Sequence, residues 1–97
     1  MKIKRNLDGE VLTLALEGRL DTLTTPDLEK EVSDLKGIKK VIFDFEKLEY
    51  ISSSGLRVLL STQKIMNNQG EMIIKNSNMA IKKIFNVTGF ADILKVE

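Results

Sequence analysis

The stretch FDFEKLEYISSSGL, residues 43–56, holds the reading of the fold. It opens at the end of an apolar run and closes where a different periodicity begins. Upstream, KKVIFDFE (39–46) carries Val41-Ile42-Phe43 without a break, with Phe45 beyond. A run without clean alternation predicts a strand covered on both faces and therefore central in its sheet. Downstream, Leu56, Leu59, Leu60, Gln63 and Met66 recur at helical spacing, and Gly70 is expected to end that helix. A short connection and three serines lie between the two periods. With Ser52 as N-cap, Ile51 and Leu56 occupy the positions of a hydrophobic staple. With Ser53 as cap, the pair would be Ser52 and Arg57, which is no staple. The Ser52 register leaves Ser53 at the first helical position, free to point outward. Gly55 then falls in the first turn and keeps the surface flat beside Ser53.

The rest of the chain builds out from this unit. Residues 1–6 form a short basic strand, Asp8-Gly9 is a favoured hairpin dipeptide, and VLTLALE (11–17) alternates, with Leu12, Leu14 and Leu16 on one face. Residues 18–27 read as a loop. Thr25 before Pro26 predicts an N-cap with proline at the first helical position. Leu28, Val32 and Leu35 then give an amphipathic stripe that Gly37 closes. EMIIK (71–75) is a strand, and NMAIKKIFNVTG (78–89) is a helix packing through Ile81, Ile84 and Phe85. FADILKVE, with Ile93, Leu94 and Val96 apolar, fits either a strand or a short helix. The order β-β-α-β-α-β-α plus a tail predicts one α/β domain over residues 1–97, with a parallel or mixed sheet.

Composition narrows the function. The chain has 97 residues, a net charge of +1, 42% hydrophobic and 30% charged residues, no cysteine and no histidine. Such a balance invites neither nucleic acid nor an anionic membrane. The commonest general base and the thiol nucleophile are both missing. No apolar run exceeds three residues, against the ~20 of a spanning helix, and no signal peptide is evident, so a cytoplasmic location is expected. The sequon Asn86-Val87-Thr88 is then a coincidence of spelling. A serine nucleophile at position 53 or 54 would need a base within about 3 Å. Lys64 stands nearly three turns along the helix, so catalysis is not expected, and no pattern calls for a cofactor or a metal.

Three segments together resemble the STAS family, the bacterial anti-sigma factor antagonists. They are FDFEKLEYISSSGL with Asp44, Leu48, Ile51, Ser53, Ser54, Gly55 and Leu56 in place, Gly18-Arg19-Leu20-Asp21, and Thr88-Gly89-Phe90-Ala91-Asp92. The resemblance covers nearly the whole chain. It implies a mixed four- or five-stranded sheet with helices mainly on one face, and a role in partner switching. In the family, the serine after the motif aspartate is phosphorylated by a serine kinase that doubles as the anti-sigma factor. The unmodified antagonist binds that kinase, the phosphorylated form lets go, and a serine phosphatase resets it. The corresponding position here is Ser53. The motif aspartate itself is replaced by Ser52, an equivalent cap without the charge, which leaves Ser52, Ser53 and Ser54 as possible acceptors. Ser53 is favoured because modifying Ser52 would remove the cap. The resemblance also places Asp21, Thr22, Thr24 and Thr25 near the serines; Asp21, Thr22, Thr24, Ser53 and Arg57 are the expected partner-binding residues. Asp44 is expected to end its strand and hold the loop after it. The tail beyond Asp92 is short for the family, so a final helix is not expected. The alternative reading is a STAS binding subunit of a transport or stress-signalling complex that is not switched by phosphate.

Overall fold

The computed structural model describes residues 1–97. It has strands β1 (Lys2–Asp8) and β2 (Val11–Leu20), helix α1 (Thr25–Glu31), strand β3 (Lys40–Ile51), helix α2 (Ser53–Asn67), strand β4 (Glu71–Lys75), helix α3 (Met79–Thr88), a 3-10 turn (Phe90–Asp92) and strand β5 (Lys95–Val96). The sheet order is β1-β2-β3-β4-β5. β1 is antiparallel to β2, and the other three pairings are parallel. Each parallel crossover advances one strand in the same direction. Their common right hand therefore puts all three helices on one face of the sheet. The tail, left open between strand and helix, contains both the 3-10 turn and β5.

The hairpin forms as its alternation predicts, with Leu12, Leu14 and Leu16 buried against the helices. Its turn is shifted by one residue: Asp8 pairs with Val11, so Gly9 and Glu10 are the central residues, with Gly9 at φ +61. Glycine in the first of two turn positions is the choice of a type II′ hairpin.

β3 is central, but not for the reason its apolar run suggests. Val41, Phe43 and Phe45 are fully buried under the helices, and Phe43 and Phe45 meet with ring centroids 6.1 Å apart. Ile42 points to the other face, where no helix lies, between its neighbours Thr13 and Ile73 in register. Coverage is therefore one-sided, and Ile42 is shielded by cross-strand neighbours instead.

Several boundaries differ from the sequence reading: β2 runs on to Leu20 through residues expected as a loop, and α2 ends at Asn67, before Gly70. β3 does not stop at Asp44 or Glu46 but continues to Ile51, because β2 also continues and pairs with it through Gly18↔Leu48 and Leu20↔Ile51. Two register shifts, between Ala15 and Glu17 and between Gly18 and Arg19, keep the pairing alive, and Gly18 takes φ +103 there. Asp44 lies within β3. Its Oδ1 accepts from the N–H of Glu46 and from Nδ2 of Asn76, each at 3.0 Å, so it tethers the segment after β4. The extension carries the start of α2 well past the end of β4.

α1 is shorter than its stripe predicts. It ends at Glu31, although Leu28, Val32 and Leu35 are all buried as expected. Ser33 Oγ donates to the carbonyl of Lys30 at 2.8 Å, and Asp34 Oδ1 accepts the N–H of Lys36 at 3.1 Å. These short polar side chains offer the backbone an alternative to the helix. Leu35 and Ile38 reach the core from an irregular segment, which Gln69 pins by donating to both of their carbonyls at 2.7 Å.

Candidate functional site

The serine cluster adopts the register its apolar flanks predict. Ser52 is the N-cap in extended conformation, and its Oγ accepts from the N–H of Gly55 at 3.3 Å. Ile51 and Leu56 are both buried, completing the staple. Ser52 also donates its own N–H to the carbonyl of Leu20 at 2.9 Å, fastening the helix start to the end of β2. Ser53 follows as the first helical residue. It is exposed and its hydroxyl makes no hydrogen bond. Ser54 is half-buried, with Oγ 3.4 Å from Thr22 Oγ1.

Gly55 differs from the expectation of a flat outer surface. It faces inward and is buried. A Cβ there would lie 2.8 Å from Leu20 Cγ and 2.9 Å from Ile51 Cγ1. The glycine lets α2 sit close to the end of β2 and thereby fixes where Ser53 emerges.

Because the cap is a single hydroxyl bond, its contribution can be measured. Ser52→Ala should cost about 1 kcal/mol, a fall in Tm of roughly 4–8 °C for a domain of this size. Ser52→Asp should restore it. Thermal unfolding followed by circular dichroism reads both; an unchanged Tm in Ser52→Ala would remove the cap from the account.

The segment from β2 to α1 packs beside the serines. Asp21 Oδ1 accepts the N–H groups of Leu23 at 3.0 Å and Thr24 at 3.2 Å. Thr24 Oγ1 accepts the N–H of Asp21 at 2.9 Å and donates to the carbonyl of Arg19 at 2.8 Å. Thr25 is not the N-cap. Thr24 holds that position without a side-chain cap bond, and Thr25 is buried, its N–H and hydroxyl both turned back to the carbonyl of Asp21. Asp21 and Thr24 thus build the loop, whereas Thr22, Ser53 and Arg57 remain exposed. Arg19 is occupied as well. Its guanidinium lies 4.2 Å from the Tyr50 ring centroid and its Nε 4.0 Å from Asp21 Oδ2.

Between α1 and α2 runs an open groove of about 750 Å³. Thr22 and Ser54 stand at its end near the cluster, Glu29 and Lys30 line one wall, and Arg57 and Ser61 line the other. The sequence reading found the Leu56-Leu59 stripe but not this second one. Its signal is Ser54, Val58, Ser61, Thr62 and Ile65, serines and β-branched residues at helical spacing beside the core stripe. Two apolar side chains also escaped it: Leu23 is 88% exposed and Met79, at the start of α3, is 86% exposed. Both follow the carboxyl ends of parallel strands, the edge at which open α/β sheets bind.

No group of three or more Asp or Glu side chains gathers to hold a metal, and no helix is long and apolar enough to cross a membrane. Lys64 is exposed, away from the serines. The fold and this edge define a small α/β protein that displays a helix-start hydroxyl to its surroundings. The chain belongs to the STAS domain family, whose model matches residues 2–97. It is 31% identical over 99 residues to BtrV of Bordetella bronchiseptica, which its name assigns provisionally to the anti-sigma factor antagonists; the match covers 99% of this chain and 85% of BtrV. It is 26% identical to the anti-sigma-B factor antagonist of Staphylococcus aureus, over 99% of this chain and 92% of that protein. Its fold matches the anti-sigma factor antagonist SpoIIAA in its unphosphorylated form (TM-score 0.79, 19% identity, 99% of this chain and 87% of that one). The phosphorylated form of Bacillus SpoIIAA matches equally (TM-score 0.78, 20% identity, 99% and 91%).

Proposed function

We propose that this protein is an anti-sigma factor antagonist whose hold on its partner is controlled by phosphorylation of Ser53. The observation that carries the reading is the division of labour at the start of α2: Ser52 seals the helix, so the neighbouring exposed hydroxyl has no structural duty. Homology to named antagonists supports the partner class. In this reading the unmodified protein binds an anti-sigma factor that is also a serine kinase. The kinase transfers the γ-phosphoryl group of ATP to the Ser53 oxygen, ADP leaves, and the hydroxyl proton passes to the kinase. The phosphate adds about −1.5 to −2 charge at the contact surface. A helix start tolerates that charge, so the partner is released while the fold persists. A serine phosphatase restores the binding form.

The test is intact-mass analysis after incubation with ATP and the cognate anti-sigma factor kinase. One phosphate is expected on the wild type and none on Ser53→Ala. An equal gain in Ser53→Ala would move the acceptor elsewhere.

One observation favours a second reading. Ser52 stands where the family motif has aspartate, so no carboxylate adjoins the acceptor. A STAS binding subunit of a transport or stress-signalling complex, unswitched by phosphate, fits that change. In that case the wild type stays unmodified and Ser52→Asp gains the phosphate.

A further inference from the structure

The chain has three arginines, and two are engaged. Arg5 bonds the carboxylate and carbonyl of Glu31 at 3.3 Å, and Arg19 is held by Asp21 and Tyr50. Arg57 is exposed, and its guanidinium has neither an acidic partner within 4 Å nor a hydrogen bond. It stands four residues after Ser53 and three after Ser54 on α2, so its Cβ lies about 5–6 Å from theirs. Acid before base at this spacing is the favourable order on a helix. Ser53 and Ser54 are also the first two helical residues, whose N–H groups have no carbonyl partner within the helix. The N–H of Gly55, by contrast, is taken by Ser52 Oγ.

We infer that Arg57 is a built-in receptor for the Ser53 phosphate: once the phosphate is attached, the free guanidinium pairs with it on the same helix. The consequence is a switch with two linked effects. The phosphate brings negative charge, and it also withdraws from the groove the one arginine that an acidic partner surface could use. Lys30 and Glu29 face Arg57 across the groove from α1, and Asp21 is already committed to Arg19 and to its own loop. Arg57 is a positioning residue in this scheme and takes no part in phosphoryl transfer. The inference rests on Ser53 being the acceptor.

The experiment places phosphoserine at position 53 by genetic encoding and follows its titration by ³¹P NMR in the whole chain. A neighbouring cation stabilises the dianion, so it lowers the second ionisation of the phosphate. That ionisation is expected about half a pH unit lower in the Arg57 protein than in Arg57→Gln at low salt. The gap should shrink at about 1 M salt, where screening acts within roughly 3 Å. Arg57→Lys should retain part of the shift, having charge but no planar fork. Identical titrations in wild type and Arg57→Gln would overturn the inference. So would an equally large change in Lys30→Gln, which would assign the effect to the groove as a whole. Encoding the phosphate separates the two claims. A kinase that leaves Ser53 unmodified counts against the proposed function, on which the switch depends, whereas an absent titration difference in the encoded phosphoprotein counts against the Arg57 pairing whatever the kinase does.

Discussion

Ser53→Asp is expected to lose affinity for the cognate anti-sigma factor by about 100-fold while the domain stays as stable as the wild type. The magnitude follows from placing a new carboxylate at a docking surface, where a like-charge or desolvated mismatch costs several kcal/mol. Stability should hold because the first helical residue is where a negative charge is welcome, contributing about 0.3–1 kcal/mol in favour of the helix. Ser53→Ala removes a hydroxyl that has no hydrogen bond in the structure, so it should bind as the wild type does. Isothermal titration with the purified anti-sigma factor gives the affinities, and thermal melts give the stability. If Ser53→Asp binds as tightly as the wild type, this face is not the one the partner uses. If it melts far below the wild type, Ser53 has a structural role that its exposure denies.

Gly70→Ala is expected to destabilise the domain more than any other glycine-to-alanine change. Gly70 does not take a left-handed φ, so the requirement is space rather than backbone freedom. A Cβ at this position would meet the carbonyl oxygen of Lys39 at 1.8 Å and its carbon at 2.6 Å. That carbonyl accepts the N–H of Glu71 at 3.0 Å, the bond that sets β4 beside the start of β3. Because the obstacle is main chain, it cannot rotate aside as a side-chain tip would. Either the β4 pairing slips or the turn after α2 moves. The cost should be about 3 kcal/mol or more, which lowers Tm by roughly 12–24 °C in a domain of this size. Urea unfolding of Gly70→Ala checks this. A loss below about 1 kcal/mol would mean that the α2–β4 connection adjusts freely.

These two positions also mark how far the sequence could be followed. Ser53 was legible because its setting is local. The staple pair Ile51 and Leu56 fixes the cap, and the cap fixes its neighbour. Gly70 was legible only as a helix terminator, and that reading was incomplete. The helix ends at Asn67, and the glycine answers to a carbonyl 31 residues earlier in the chain. Position alone reads Gly55 as an outer, flattening residue, yet from α2 it packs against Leu20 at the end of β2. The early end of α1 lay within reach: Ser33 and Asp34 are local competitors for the backbone, and the apolar stripe outweighed them in the reading. The length of β3 was not within reach, since nothing in FEKLEYI alone says that β2 will run on beside it.

The amino-acid sequence by itself determined the α/β order, the alternation of the hairpin, the cap and staple of α2, and the serine left spare beside them. Each depends on residues within a turn or two of one another, where period and side-chain chemistry act directly. Tertiary structure decided the one-sided helical layer, the extension of β2 and β3 that carries Ser53 to the sheet's edge, the groove between α1 and α2, and the freedom of Arg57. Those depend on which distant segments come to lie side by side: a strand grows only if its neighbour grows with it, and an arginine is free only if no carboxylate folds within its reach.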